Sequence, residues 1–212
     1  MRVEFRDQSM IIRGFRDDHI TNCLQQGTFY EVELLTYLLQ RYGTGGCYVD
    51  FGAFIGNHSI FFSRVCKADL VIAVEPSLRS FDVLSHNLQI NKVSNVQTYN
   101  MAVGDRDCLC RIKSSDARNR GQTEIKADNS GSIKMKSGDS VIFPNAPKLI
   151  KIDTEGWSLA VLQGCVQTIA KYHPVLVVET SPDPVEIVQE FLSTYHYSLK
   201  GQFNATPTCV FE

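Results

Sequence analysis

The sequence predicts a doubly wound α/β fold: a seven-stranded, mostly parallel sheet with helices on both faces and a C-terminal antiparallel hairpin. Three observations predict it. Short continuous apolar runs of strand length, such as Leu70 to Val74, alternate with longer segments whose apolar residues recur at helical spacing. A glycine-bearing turn, Gly52-Ala-Phe-Ile-Gly56, joins the first of these runs to the helix behind it. Two last apolar runs flank the turn-rich stretch Gly201 to Thr206, the pattern of a closing hairpin. Continuous apolar strands are buried on both faces, and strand–helix alternation then calls for right-handed crossovers.

From the N-terminus, residues 1–46 read as a helical lead-in. Val32, Leu35, Leu38 and Leu39 recur at helical spacing between Glu31 and Arg41, and Gly43 to Gly46 stop that helix before a strand at 47–51. Asn57 to Cys66 is the next helix, Leu70 to Val74 the second strand, and Leu78, Phe81, Leu84 and Leu88 mark an amphipathic helix ending near Asn91. A third strand covers Asn95 to Tyr99. Lys148 to Asp153 is the fourth, followed by one helix bearing Leu159, Leu162, Val166 and Ile169 and by the strand Pro174 to Glu179. Pro184 to Thr194 is helical, and His196 to Lys200 with Pro207 to Phe211 complete the sheet.

The stretch 105–136 differs in composition. It holds eight Lys or Arg, five Asp or Glu and the turn-rich Asp128-Asn-Ser-Gly131. It reads as polar hairpins inserted on the substrate side, either a solvated surface or a device for ligand choice in which Arg118, Asn119 and Arg120 reach an anionic or sugar-like partner. No low-complexity linker divides the 212 residues, so a single domain over 1–212 is expected.

With 21 basic and 23 acidic residues the formal net charge is −2, which offers no electrostatic footprint for nucleic acid or an anionic membrane. No stretch reaches the length of a membrane span, and Met1-Arg-Val-Glu-Phe-Arg-Asp lacks the plan of a secretory signal. A cytoplasmic protein is expected. Seven cysteines in mostly apolar settings read as small buried hydrophobes of a reducing compartment, and Cys108-x-Cys110, without a histidine or second pair nearby, is a poor metal site. No metal is expected.

Ligands of doubly wound sheets lie outside the carboxyl ends of the strands, where the strand order reverses. Asp50, Glu75, Asn100, Asp153 and Glu179 each sit at or just past the carboxyl end of a predicted strand, so five polar residues distant in sequence are expected to gather along one rim. Small residues at Gly52, Ala53 and Gly56 let the backbone turn tightly and approach a ligand. Glu75 stands 19 positions beyond Gly56, near the ~20-residue offset at which a carboxylate meets ribose hydroxyls in nucleotide cofactor sites. Residues 149, 151 and 153 share one strand face, which makes Lys151 the partner that keeps Asp153 ionised. His58 opens the helix after the glycine turn and reads as a helix-surface histidine. Trp157 either stacks on a ligand ring or packs over the following helix.

Seven strands closed by an antiparallel hairpin describe the class I S-adenosylmethionine-dependent methyltransferase fold better than a dinucleotide dehydrogenase, which carries a larger substrate domain. Four segments resemble the FkbM methyltransferases, in that family's order. They are Phe29-Tyr30-Glu31, Val49-Asp-Phe-Gly-Ala-Phe-Ile-Gly-Asn57, Ala73-Val-Glu-Pro76 and Ile150-Lys-Ile-Asp-Thr-Glu-Gly156. Phe54, where the family has Asn or a small polar residue, and Ser158, where an acid is common, depart from its pattern.

The resemblance implies S-adenosylmethionine as methyl donor, with S-adenosylhomocysteine as product, and a hydroxyl acceptor on a small molecule such as a sugar or natural-product alcohol. The cofactor-binding residues it implies are Glu31, Asp50, Gly52, Ala53, Gly56, Asn57, Glu75, Pro76, Asn100, Met101, Ala102 and Asp153. Asp153, Glu155 and Glu179 are the candidate catalytic acids, because a hydroxyl must lose its proton as it attacks. Two alternatives stay open: a nucleic-acid ribose 2'-O-methyltransferase using Lys151, Asp153 and Glu179, and a non-catalytic module that only binds the cofactor.

Overall fold

The computed structural model describes residues 1–115, 123–141, 146–180 and 184–212. The lead-in opens with a hairpin where a helical segment is expected: β1 (Arg2–Phe5) pairs antiparallel with β2 (Gln8–Ile11), Val3 opposite Met10. Val3, Met10 and Ile12 are buried while Glu4 and Ile11 face solvent, a period of two that specifies a strand. Helix α1 (His19–Leu24) is capped by Asp18, whose carboxylate accepts from the Thr21 amide at 3.0 Å. Helix α2 (Val32–Tyr42) buries Leu34, Leu35, Leu38 and Leu39 and ends at Gly43, whose φ of 69° suits a glycine.

Next come β3 (Cys47–Phe51), α3 (Asn57–Arg64), β4 (Leu70–Val74), α4 (Leu78–Ile90) and β5 (Val96–Tyr99). A small sheet follows, built from β6 (Ala102–Gly104), β7 (Cys108–Ser115), β8 (Thr123–Ala127) and β9 (Ile133–Ser137) in the order β6-β9-β7-β8. The chain returns through β10 (Pro147–Ile152), α5 (Ser158–Gln163), α6 (Val166–Tyr172), β11 (Val175–Glu179), α7 (Val185–Ser193), β12 (Leu199–Phe203) and β13 (Thr208–Phe211). The main sheet runs β12-β13-β11-β10-β3-β4-β5, with β13 antiparallel to both its neighbours and the other pairs parallel.

Period-two alternation sorts the two layers. Tyr48, Val71 and Leu149 point toward α2, α3 and α4, where Leu35, Phe61, Phe62 and Leu84 are fully buried; Val49, Ile72 and Ile150 point toward α5, α6 and α7 with Leu162, Ile169 and Val188. Each such side chain contributes about 1.5–3 kcal/mol by leaving water. Asp50 and Lys151, paired across β3 and β10, share the face of Tyr48 and Leu149 and so carry charge into the first layer.

Two details differ from the sequence reading. The helix after the fourth strand is broken into α5 and α6 around Gly164, where only glycine fits because a Cβ would lie 1.9 Å from the Gly104 carbonyl oxygen. Gly201, expected in the hairpin turn, lies inside β12 at a register shift opposite β13, so the turn falls at 204–207. No described helix is long and apolar enough to cross a membrane.

Candidate active site

The strand order reverses between β3 and β10, and a cleft opens there at the carboxyl ends of the parallel strands. The glycine turn forms its floor. Gly52 has φ 79°, its amide and that of Ala53 both donate to the Val74 carbonyl at 3.0 Å, and a Cβ on it would meet the Asp153 carbonyl oxygen at 1.7 Å. Glycine is therefore required at 52 by the close approach of β10's end. At Gly56, with φ 89°, a Cβ would meet Leu84 Cδ1 at 2.7 Å, so this glycine serves the packing of α3 on α4.

Glu75, directly after β4, is 5 % exposed and ties the turn to its own strand. Its Oε2 accepts the Phe54 amide at 2.9 Å and its Oε1 the Ser77 amide at 2.8 Å. Burial pushes its carboxyl up to about 7, with the two amides and Lys151 pulling the other way and Asp50 adding to the rise. Asn100 Nδ2 donates to the carbonyls of Glu75 and Pro76 at 2.9 and 3.2 Å, pinning the loop after β5 to the loop after β4.

Lys151 is the electrostatic centre. It is 2 % exposed, and its Nζ lies 3.3 Å from Asp50 Oδ1 and 3.1 Å from Asp153 Oδ2. Asp50, fully buried, takes a second bond from Ser59 Oγ at 2.6 Å. Burial by itself would lower the lysine, but the Asp153 and Asp50 carboxylates outweigh it and hold the ammonium charged. The expected Lys151–Asp153 pair is therefore present, with Asp50 as its second partner.

Past β10 and β11, Asp153, Glu155 and Glu179 each bring an oxygen within 4.8 Å of the others. Burial works against ionisation of Asp153, yet the Lys151 ammonium and a hydrogen bond from Glu179 keep it below the usual carboxylate range. Glu179 goes the opposite way: burial, then the charges of Asp153 and Glu155, push it up to about 10. The two carboxyls titrate as a pair, in which the opposite directions favour the proton on Glu179. Among the described residues, Glu179 Oε2 is buried without a hydrogen-bond partner.

The far wall comes from the lead-in. Glu31, at φ 57° and ψ 38°, directs a carboxylate whose Oε2 lies 2.9 Å from His58 Nε2, with side chains 8 % and 7 % exposed. His58 is thus buried, not on a helix surface as its sequence suggests. Every residue of α3 from Asn57 to Ser63 is buried, so the helix has no solvent face there. Asn57 exchanges two 3.1 Å bonds with the backbone of Tyr30, locking the lead-in over the helix start.

Of the residues expected at the site, Glu31, Gly52, Glu75, Pro76, Ala102, Asp153, Glu155 and Glu179 line the cleft. Asp50, Ala53, Gly56 and Asn57 are buried and do not line it, Met101 packs against the second core layer, and Asn100 is exposed beside the loop after β4. Tyr30, His19, Phe54, Thr154 and Thr206 also line it and are not among the expected site residues. Tyr30, Phe54 and Thr154 fall inside the blocks that resemble the FkbM family, while His19 and Thr206 carry no local signal. Glu31, Phe54 and Glu155 all adopt positive φ, a costly state for non-glycine residues that concentrates at functional sites. Trp157 packs on the small sheet near Met135 and Gly104. Arg118, Asn119 and Arg120 lie outside the described residues.

A parallel sheet that reverses order at an acid-lined cleft and closes on an antiparallel hairpin defines a class I methyltransferase fold. The FkbM methyltransferase domain model matches residues 50–199, and the chain belongs to that family. It is 26 % identical over 164 residues to the hexuronic acid methyltransferase AglP of Haloferax volcanii, covering 75 % of this chain and 66 % of that protein. Among solved structures, the FkbM methyltransferase of Methylobacillus flagellatus KT has a TM-score of 0.58 at 23 % identity, over 77 % of this chain and 42 % of that one. The precorrin-6y C5,15-methyltransferase of Geobacter metallireducens GS-15 has a TM-score of 0.53 at 14 % identity, over 84 % and 86 %. The chain therefore spans 66 % of the length of AglP and less than half of the Methylobacillus FkbM structure.

Proposed function

We propose that the protein is an S-adenosylmethionine-dependent O-methyltransferase of the cytoplasm, acting on a hydroxyl of a small molecule or sugar. The observation that carries the reading is the gathering of Asp153, Glu155 and Glu179 past the ends of β10 and β11, each with an oxygen within 4.8 Å of the others and Asp153 paired to the buried Lys151 at 3.1 Å. Lys151 favours the Asp153 carboxylate, while burial and the neighbouring acids favour the neutral form of Glu179. An anionic base beside a neutral acid suits an acceptor that must lose one proton during attack.

The residues present fit the cofactor. Each Glu75 oxygen takes one amide and keeps a second acceptor direction free for a ribose hydroxyl. Gly52 bares the backbone at the turn, and the Glu31 carboxylate faces the cleft where a methionyl ammonium needs a counter-charge. Bound S-adenosylmethionine supplies an electrophilic methyl on a sulfonium whose charge disperses as the methyl leaves. Asp153 accepts the acceptor's hydroxyl proton, Glu179 orients Asp153, and Glu155 binds the acceptor. Alignment of the reactants accounts for most of the acceleration, about 7–11 kcal/mol in well-oriented cases.

A sugar acceptor is supported by the hexuronic acid methyltransferase among the relatives. A nucleic-acid acceptor is less well supported: carboxylates dominate the described cleft, and Lys151 is buried between two aspartates, unable to reach a substrate hydroxyl. Seven free cysteines, most of them buried, suit a reducing compartment. Titration calorimetry with S-adenosylhomocysteine, with mass-spectrometric detection of a +CH2 product across sugars and alcohols, tests the reading. Absence of cofactor binding overturns it, and binding without turnover on any acceptor favours a non-catalytic module.

A further inference from the structure

We infer that Asn204, in the turn between β12 and β13, is a positioning residue that aims the Glu31 carboxylate into the donor cleft. The inference rests on the methyl-donor reading above. Asn204 Nδ2 donates to Glu31 Oε1 at 2.5 Å, across 173 residues of sequence, and to Thr208 Oγ1 at 3.1 Å. The other Glu31 oxygen lies 2.9 Å from His58 Nε2. The carboxylate is therefore hydrogen-bonded at one oxygen by the hairpin turn and lies close to the helix after the glycine turn at the other.

Two observations separate this hold from ordinary fastening. The turn is already secured, because Thr180 N and Oγ1 donate to the Pro207 carbonyl at 2.9 and 3.1 Å and Thr208 pairs with Glu179 in the β11–β13 ladder. Its contact with Glu31 is not needed to hold the hairpin. Glu31 itself keeps a left-handed backbone at φ 57°, a conformation that persists only where surrounding contacts over-determine it. Thr206 of the same turn lines the cleft, so the turn reaches the site directly as well.

The test is the S-adenosylhomocysteine dissociation constant of wild type, Glu31→Gln, Asn204→Gly, Asn204→Asp and the Glu31→Gln/Asn204→Gly double variant, with melting temperatures measured alongside. Glycine and aspartate both tolerate the positive φ of 67° at this position, so the turn itself is preserved. Glu31→Gln and Asn204→Gly should each weaken binding roughly five- to twenty-fold, and the double variant should be no weaker than Glu31→Gln alone. Asn204→Asp sets a second carboxyl against Glu31. Its affinity relative to wild type should fall as pH rises from 5 to 8 and recover toward pH 5, where a protonated carboxyl again donates. His58, Lys151 and Tyr30 face the same carboxylate in every variant, so the ratio to wild type isolates the new group. Wild-type affinity in Asn204→Gly, or losses that multiply in the double variant, would overturn the inference while leaving the donor site intact. Failure of wild type to bind overturns the donor reading and the inference with it.

Discussion

Lys151 Nζ and Asp153 Oδ2 lie 3.1 Å apart, and the lysine, 2 % exposed, lies 3.3 Å from Asp50 on its other side. One cation thus serves two carboxylates in a layer otherwise filled by Leu, Ile and Phe side chains. Lys151→Met removes it and leaves the fully buried Asp50 without its counter-charge, while the Asp153 side chain keeps some contact with solvent. We expect a loss of about 3–5 kcal/mol in urea denaturation, the cost of breaking a buried pair from one side. A change below ~1 kcal/mol would show that water reaches Asp50 and replaces the ammonium.

For the Asp153–Glu179 pair, Asp153→Asn should lower turnover by about 10²–10⁴-fold with S-adenosylhomocysteine affinity within a few-fold of wild type. Glu179→Gln should keep most activity near neutral pH, because an amide N–H still donates to Asp153. Glu179→Leu should not. Equal losses in the Gln and Leu variants would remove the shared proton from the mechanism.

Glu75 links pH to both binding and stability. Its folded value is raised, so its contribution to stability is complete below the unfolded carboxyl range and is lost as pH rises through about 7. Wild type should therefore lose on the order of 2–3 kcal/mol between pH 4.5 and 7 from this group, and Glu75→Gln should flatten that slope. Cofactor affinity should run the other way, rising with pH through 7 as the ionised carboxylate becomes the better acceptor for ribose hydroxyls. Glu75→Ala should abolish S-adenosylhomocysteine binding in calorimetry, and normal binding by that variant would remove Glu75 from the donor site.

The two turn glycines should respond differently to alanine. At Gly52 the new Cβ meets backbone, the Asp153 carbonyl at 1.7 Å, which cannot move without opening β3 from β10. Gly52→Ala should cost about 3 kcal/mol or more, or fail to give folded protein. At Gly56 the obstacle is the end of the Leu84 side chain, so Gly56→Ala should cost about 1–2 kcal/mol, mainly from its positive φ. Thermal unfolding of the two variants side by side decides the order.

Chelation offers a separate check on the acid cluster. Because Lys151 and the Glu179 proton offset part of the charge of Asp153 and Glu179, we expect EDTA to leave turnover unchanged. A loss restored by a divalent ion would assign Asp153, Glu155 and Glu179 to a metal.

The layered sheet, its crossovers and the row of acids at its rim were legible in the sequence, because each depends on local periodicity. Apolar runs of five residues make buried strands, and Glu75, Asp153 and Glu179 end or follow such runs wherever the strands are placed; Asp50, one residue earlier on its strand, turned into the first layer instead. The Lys151–Asp153 pair was legible for the same reason, since residues two apart on a strand share a face. Only the tertiary structure decided which of these groups face the cleft and which stand behind it. Asn57 bonds Tyr30, Asn100 bonds the Glu75 carbonyl, His58 meets Glu31, and Asn204 meets Glu31 from the other end of the chain. These contacts join loops 25 to 173 residues apart. Their partners are set by how helices and turns pack over the sheet, and no local pattern of residues encodes that arrangement.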